Sequence, residues 1–212
     1  MLLKWKPLLN SKKLILGSTS IQRKQILSDL GVEFEALGSS FAEDLPKLEP
    51  KKYVEATAYH KLLYLLKENP QKEMDFVLTA DTIVVLEGKI LEKTSSKEEA
   101  MLWLKSYSGK KLEVLTSCCF AVIEPSKEGK EIRDFIQFTE SSVLSMNVFD
   151  EEVVSLYLET EEWKNRAGAI AVQLYGKLLV NNIQGCYFNI VGLPVSALSV
   201  NIDKILQKLY SK

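Results

Sequence analysis

The stretch from Phe76 to Lys93 restricts the fold of this chain most. As far as Leu86 it is rich in β-branched and other apolar residues, which predicts a strand, and Gly88 predicts a hairpin turn before a short return strand. Asp81 lies inside this apolar run. A carboxylate there is costly unless a cation, a metal ion or hydrogen-bond donors meet it. Two interpretations follow: a satisfied structural Asp at a β-bulge, or a carboxylate that takes part in chemistry.

The size and charge of the chain exclude several classes of protein. Its 212 residues are enough for one substantial core, in one domain or two tightly joined lobes. The net charge of −1 gives no sign of a surface for nucleic acid or for a membrane. We find neither a complete signal peptide nor the ~18 consecutive apolar residues of a membrane span. We therefore expect a cytoplasmic protein that binds neither nucleic acid nor membrane.

The Cys, His and Arg residues narrow the choice of site. Three Cys, two of them adjacent at Cys118 and Cys119, provide no disulfide framework and no Cys-based metal pattern. The single His60 excludes zinc sites that need several His. The chain has only three Arg, and because Arg is the better bidentate phosphate ligand, the positions of Arg23 and Arg166 are informative.

The order of the predicted elements indicates an α/β protein with a mixed sheet. They are strands over 12–17 and 32–37, helices over 21–30 and 50–68, the central hairpin, a helix over 97–105, a long antiparallel ribbon of 112–123 and 132–146, a helix over 149–159, a short strand that ends at Gln173, a loop over 183–194 and a closing helix to about 210.

The turn between the first strand and the first helix is a candidate anion site. Ser18 and Ser20 lie in this turn, and a helix N-terminus after such a turn directs backbone N–H groups and hydroxyls at an anion. Arg23 lies in the first helical turn, where the helix dipole disfavours a cation, so a phosphate partner would explain it. Many α/β proteins begin in this way, and the pattern alone is not specific.

Further polar residues lie in unusual places. Lys61 falls on or beside the apolar stripe of its helix, where it either snorkels to the surface or reaches inward. Glu43 lies in an acidic loop, Arg166 lies beside a tight turn of small residues, and the amide of Gln173 can form hydrogen bonds with a ligand. Cations neutralise a polyphosphate, and acids hold a hard divalent ion or accept a proton from water. Convergence on one cleft would favour phosphoryl chemistry; the residues concerned are Ser18, Ser20, Arg23, Glu43, Lys61, Asp81, Lys93 and Arg166.

From about Leu14 to Leu206 the chain resembles the Maf family of nucleoside triphosphate pyrophosphatases, which hydrolyse an NTP to NMP and pyrophosphate. The motifs that carry the resemblance are Ala80-Asp81-Thr82-x-Val84 with Gly88 and Lys93, Ala167-Gly168 to Gln173, Ile183-x-Gly185-x-Tyr187-x-Asn189-Ile-Val-Gly-Leu-Pro194, Leu16-Gly-Ser-Thr-Ser20 with Arg23, Glu43, and Ala58-x-x-Lys61. The resemblance implies a Maf/ITPase-like α/β fold: a mixed, elongated sheet flanked by helices, with two lobes around a nucleotide cleft. We expect a single domain over 1–212, of which 1–11 is an N-terminal extension.

The resemblance also implies roles for particular residues. Catalysis would fall to Asp81 as proton acceptor with Lys61, Glu43 and Lys93, and phosphate binding to Ser18, Ser20, Arg23 and Arg166. Base choice would fall to Gln22, Thr82 and Gln173. A divalent cation (Mg²⁺, Mn²⁺ or Co²⁺) would be held by Glu43 and Asp81. A nucleoside triphosphate substrate and a homodimer are the implied partners.

Thr82 and Gln173 match the branch of the family that acts on dTTP and UTP, which makes these the expected substrates. Gln22 departs from the family motif, where an Arg is usual, and Leu112, Thr94 and Cys186 also replace common residues. The same reaction on 7-methyl-GTP or on a non-standard purine NTP therefore stays open. A regulator that binds nucleotides without turnover is the alternative from another class, although the joint presence of the four predicted catalytic residues speaks against it.

Overall fold

A computed structural model of the chain describes residues 1–42, 45–46, 49–126 and 129–210. The strands are β1 Leu14–Gly17, β2 Glu35–Ala36, β3 Phe76–Leu86, β4 Lys89–Leu91, β5 Lys111–Ser126, β6 Gly129–Met146 and β7 Val180–Gln184. The helices are α1 Leu2–Asn10, α2 Ile21–Asp29, α3 Pro50–Glu68, α4 Lys97–Tyr107, α5 Glu151–Glu159, α6 Tyr187–Val191 and α7 Val195–Tyr210, with a short 3-10 helix over Tyr175–Leu179. The strands form one mixed sheet in the order β2-β1-β3-β5-β6-β7, with β4 on β3. The predicted α/β fold with a mixed sheet is confirmed.

The strand β3 lies in the interior of the sheet, between β1 and β5, and ten of its eleven residues are buried. It pairs with β1 in parallel as far as Gly17↔Thr79 and with β5 in antiparallel along nearly its whole length. The pairing with β4 begins only at Val84. In the described chain, the edge of β3 between Thr79 and Val84 therefore has no neighbouring strand, and this gap is where the candidate site forms.

Helices cover both faces of the sheet. On one face α3 packs against β1, β3 and β5 through an apolar cluster that includes Ala58, Leu62 and Val77. On the other face α1, α2 and α7 surround Phe76 and Phe120, whose rings stack at a centroid distance of 5.5 Å. α4 and α5 enclose a further cluster at the far end of the long ribbon. No helix in the described ranges is long and apolar enough to cross a membrane.

The nine residues Leu2–Asn10 form α1, a helix that the sequence pattern did not predict. Its residues Leu2, Trp5 and Leu9 are buried against the core that includes α7. The Trp5 indole Nε1 donates to Asp203 Oδ1 at 2.7 Å, which joins α1 to α7. This segment is therefore part of the packed structure.

Three predicted elements differ in detail. The second strand was predicted over 32–37 but contains only two residues, because β1 offers just two pairs at this edge. The predicted strand that ends at Gln173 is a series of tight turns instead, and its apolar residues are buried by packing in the α4–α5 cluster. The predicted loop over 183–194 contains the end of β7 and the short α6.

Burial makes two of the three thiols unreactive. Loss of solvation raises the pKa of Cys118 and of Cys119 to about 12. A free thiol has a pKa of ~8.5, so both carry roughly 10³-fold less thiolate near pH 8. We expect iodoacetamide to leave both unlabelled in the native protein and to label them in urea, as peptide mass spectrometry would show. Rapid labelling of either thiol in the native protein would contradict their burial.

Candidate active site

A cavity of about 570 Å³ lies at the gap beside β3. It brings together ten of the residues singled out from the sequence: Ser18, Ser20, Gln22, Arg23, Lys61, Asp81, Thr82, Lys93, Arg166 and Gln173. Glu43, predicted to be catalytic and to bind metal, lies outside the described residues. Seven of the eight polar residues that lie in unusual places in the sequence thus line one cavity, a convergence that sequence spacing could not establish.

Strand geometry explains how neighbouring residues of β3 reach the cavity from different faces. Successive side chains of a strand point to opposite faces, so Asp81 lies on the face covered by α3 and Thr82 on the face shared with Val84. The register between β3 and β5 is continuous from Phe76 to Val85, so Asp81 does not lie at a β-bulge. Both side chains border the gap because no described strand covers this part of the edge.

Asp81 and Lys61 form a buried ion pair. The Lys61 Nζ lies 2.7 Å from Asp81 Oδ1, and their side chains are only 9% and 5% exposed. The Thr79 hydroxyl fixes α3 on β3 by donating to Ala58 O, one turn before Lys61. Lys61 therefore does not snorkel to the surface. Its ammonium pairs with the Asp81 carboxylate in the cavity wall. This cation is one of the partners that a carboxylate in an apolar strand was predicted to need.

A tight turn carries Arg166 to the cavity. Gly168 has a φ of +61°, and a Cβ at this position would lie 2.8 Å from the Val84 Cβ, so only glycine lets the turn approach β3 so closely. Lys93 and Ala167 form an isolated β-bridge, which brings the Lys93 side of the hairpin to the same turn.

The same turn also presents Lys164, which the sequence analysis did not single out. Lys164 lines the cavity, and its Nζ lies 2.5 Å from Glu161 Oε1. Its place two residues before Arg166 was the only signal that could have indicated it. The cavity wall therefore carries Lys164 as well as the four predicted cations, Arg23, Lys61, Lys93 and Arg166.

Arg23 is held by hydrogen bonds to three parts of the fold. Its Nε donates to Gly192 O at 2.8 Å, Nη1 to Ser18 Oγ at 3.2 Å and Nη2 to Thr82 Oγ1 at 2.9 Å. Three of its five N–H donors are thus engaged within the protein, which leaves two for a ligand. Arg23 therefore links the start of α2 to β3 and to the turn before α7, in addition to contributing charge.

The N-terminal turn of α2 is ordered by side-chain hydrogen bonds. The Ser20 hydroxyl caps the helix by accepting from Arg23 N at 3.4 Å, and it donates to Gln22 Oε1 at 3.2 Å. The predicted N-cap is confirmed. Part of the cavity wall is apolar and is formed by Val84, Val114, Leu144, Ile170, Ile190 and Val191. One cavity thus combines a cationic region with an apolar region, as a nucleotide requires.

The donor set in the described residues fits a metal ion only if the substrate completes it. No group of three or more His, Cys, Asp or Glu within these ranges could hold a metal ion. Asp81 contributes one carboxylate to the cavity. Mg²⁺-type ions are commonly held by one or two carboxylates together with substrate phosphates, and Asp81 is a carboxylate that could take part in such a site.

Comparison with known proteins agrees with the motifs. The family described as Maf-like protein matches residues 13–205. A dTTP/UTP pyrophosphatase of Thermoanaerobacter sp. (strain X514) is 38% identical over 186 residues, which cover 88% of this chain and 93% of the relative. The protein of the same name from Fusobacterium nucleatum is 37% identical over 198 residues, covering 92% and 97%. The Staphylococcus aureus Ham1 protein covers 92% of this chain and is itself covered completely, but at a TM-score of 0.47 and 12% identity it adds nothing about function.

Proposed function

The chain belongs to the family of Maf-like proteins, and from this membership and the cavity we propose that it is a nucleoside triphosphate pyrophosphatase acting on dTTP and UTP. Relatives at 33–38% identity that carry the name dTTP/UTP pyrophosphatase support the choice of substrate. The observation that carries the proposal is the buried pair of Asp81 and Lys61 in a cavity lined by further cations. Such a wall suits a substrate that brings several negative charges.

In the proposed reaction, water attacks the α-phosphorus and the bond from this phosphorus to the bridging oxygen breaks, releasing NMP and pyrophosphate. Asp81 accepts the proton of the attacking water. Lys61, Lys93 and Arg23 neutralise the charge that develops on the pyrophosphate. Ser18, Arg166 and the N-terminal turn of α2, with its N-cap Ser20, bind phosphate oxygens. A divalent cation held by Asp81 and Glu43 together with the phosphates would supply further charge neutralisation.

The test of this proposal is a panel of canonical and modified NTPs with Mg²⁺, Mn²⁺ or Co²⁺, in which NMP and pyrophosphate are quantified. We expect dTTP and UTP to give the highest kcat/KM and equimolar NMP and pyrophosphate. If 7-methyl-GTP or a non-standard purine NTP gives the highest kcat/KM, the proposed reaction stands and the proposed substrates are wrong. Tight binding without any release would favour the non-catalytic regulator instead. Homodimerisation and cytoplasmic location stay predictions, and light scattering would decide the first.

Gln22 provides a test of the base-specificity set. Its amide carbonyl is engaged by Ser20, and the side chain lines the cavity beside Arg23. We expect Gln22→Arg to change the ratio of kcat/KM between nucleotides by ~10-fold while the melting temperature changes little, because a cation replaces a neutral amide at the cavity wall. The matched control is Gln25→Arg on the same helix, where the side chain is exposed. If Gln22→Arg changes kcat/KM by the same factor for all nucleotides, Gln22 acts on phosphate binding and not on base choice.

A further inference from the structure

A chain of hydrogen bonds with a fixed direction ends at Thr82. The Thr116 hydroxyl donates to the backbone carbonyl of Asn189 at 2.9 Å, because a carbonyl can only accept. A threonine hydroxyl has one proton, so in its 2.9 Å contact with Thr82 Oγ1 the Thr116 oxygen must be the acceptor. Thr82 therefore donates to Thr116, while Arg23 Nη2 donates to Thr82.

This direction determines what Thr82 can offer a ligand. Its only proton is directed at Thr116, one lone pair accepts from Arg23, and one lone pair is left over. Thr82 lines the cavity on the same face of the sheet as the apolar residues Val84 and Val114. A ligand in this part of the cavity thus meets an acceptor at Thr82, and a hydrogen bond to it requires an N–H or O–H on the ligand.

Gln22 offers a ligand hydrogen-bond donors, whereas Thr82 offers an acceptor. Its carbonyl oxygen accepts from the Ser20 hydroxyl, so the side chain is oriented by this bond and its amide nitrogen carries the donors that stay available to a ligand. An acceptor at Thr82 and donors at Gln22 match a ring N–H beside a carbonyl, which is the imide edge of uracil and thymine. Cytosine presents a ring nitrogen with a lone pair and an amino group at this edge, so each contact would be reversed.

We infer that Thr116, which is buried behind Thr82 and absent from the cavity wall, is a positioning residue that makes the enzyme select imide bases over cytosine. The inference rests on the proposed function, because it places the base beside Thr82. By accepting the Thr82 proton, Thr116 prevents the Thr82 hydroxyl from rotating to donate to a ring nitrogen. With cytosine bound, the Thr82 oxygen and the ring nitrogen would be two acceptors that face each other without a proton between them. This arrangement is costly, and its cost lowers kcat/KM for cytosine nucleotides relative to uracil nucleotides.

The test is Thr116→Val, which keeps the shape and removes the acceptor, with Thr116→Ser as the control that retains it. UTP and CTP are the matched substrates, since they share ribose, triphosphate and ring size. We expect the ratio of kcat/KM for UTP over CTP to fall ~10-fold or more in Thr116→Val and to stay within about threefold of wild type in Thr116→Ser. Because both substrates are measured on one preparation, a smaller folded fraction does not change this ratio. Asn189 itself stays anchored through its Nδ2, which donates to Val114 O and Ser142 Oγ.

A second readout separates this inference from the proposed function. Affinities of UTP and CTP, measured by calorimetry in EDTA, should show the same loss of preference in Thr116→Val. If wild type binds UTP in preference to CTP but releases no pyrophosphate, and Thr116→Val loses this preference in affinity, the proposed function fails and the role of Thr116 stands. The inference would be overturned if Thr116→Val leaves the UTP/CTP ratio of kcat/KM unchanged, or if Thr116→Val and Thr116→Ser change this ratio equally. A change in the preference for UTP over dUTP, without a change in the preference for UTP over CTP, would also overturn it. Absence of both binding and turnover in wild type would overturn both.

Discussion

Exchange of Asp81 for Asn is expected to lower pyrophosphate release by about 10²–10⁴-fold, the usual range for the loss of a general base. Asn keeps the shape of the side chain but cannot accept the proton of water. The exchange also removes the carboxylate from the buried pair with Lys61, and we expect the free energy of unfolding to fall by up to about 3–5 kcal/mol, the cost of breaking such a pair. Nucleotide binding should persist or strengthen, because a negative charge leaves a cavity lined by cations.

The measurements are pyrophosphate release, calorimetric affinity for UTP in EDTA, and urea unfolding, all on one preparation of the variant. Asp134→Asn is the matched control, because Asp134 also pairs with a lysine, Lys208 at 2.6 Å, but lies on β6 outside the cavity. Full turnover in Asp81→Asn would remove Asp81 from the mechanism. Loss of turnover together with loss of UTP affinity would assign it to substrate binding only.

The long elements of the fold could be predicted because their patterns are strong. The ribbon of β5 and β6, the helix α3 and the central strand β3 carry many residues of one periodicity, and the predicted bounds differ from the observed ones by a few residues. α1 could not be predicted in this way, because its nine residues include Pro7, which disfavours a helix. Tertiary contacts stabilise it, including the Trp5 bond to Asp203 and the ion pair of the Met1 ammonium with the same carboxylate.

The site was predictable as a set of residues but not as a set of contacts. The apolar surroundings of Asp81 indicated that some group must meet its charge, yet Lys61 lies twenty residues earlier and meets it only because α3 packs across β3. A carboxylate that strains an apolar strand would make the protein more stable when it is removed, whereas the buried ion pair predicts a loss of stability when either charge is removed. Arg23 was expected only to face phosphate, whereas three of its donors bind the protein itself.

Exchange of Lys61 for Met should lower activity by ~10²-fold or more, because the cavity loses a preorganised positive charge beside the phosphates. Met retains an aliphatic stem of similar length at this position of α3, so the change is mainly one of charge. Removal of the ammonium leaves the Asp81 carboxylate buried without this partner, and we expect a loss of up to about 3–5 kcal/mol in the free energy of unfolding. Lys67→Met on the same helix is the matched control, because Lys67 is exposed and outside the cavity wall.

The double variant Lys61→Met with Asp81→Asn separates the structural part of this loss from the catalytic part. With both charges removed, no unpaired charge of this pair stays buried. The double variant should therefore lose about 2–3 kcal/mol less free energy of unfolding than the two single variants lose in sum. Turnover should not recover with stability, because both the proton acceptor and the cation are gone. Urea unfolding and pyrophosphate release across the four proteins of the cycle measure both quantities. Recovery of activity together with stability would mean that the pair only holds α3 on β3, whereas stability without activity would place both residues in the reaction.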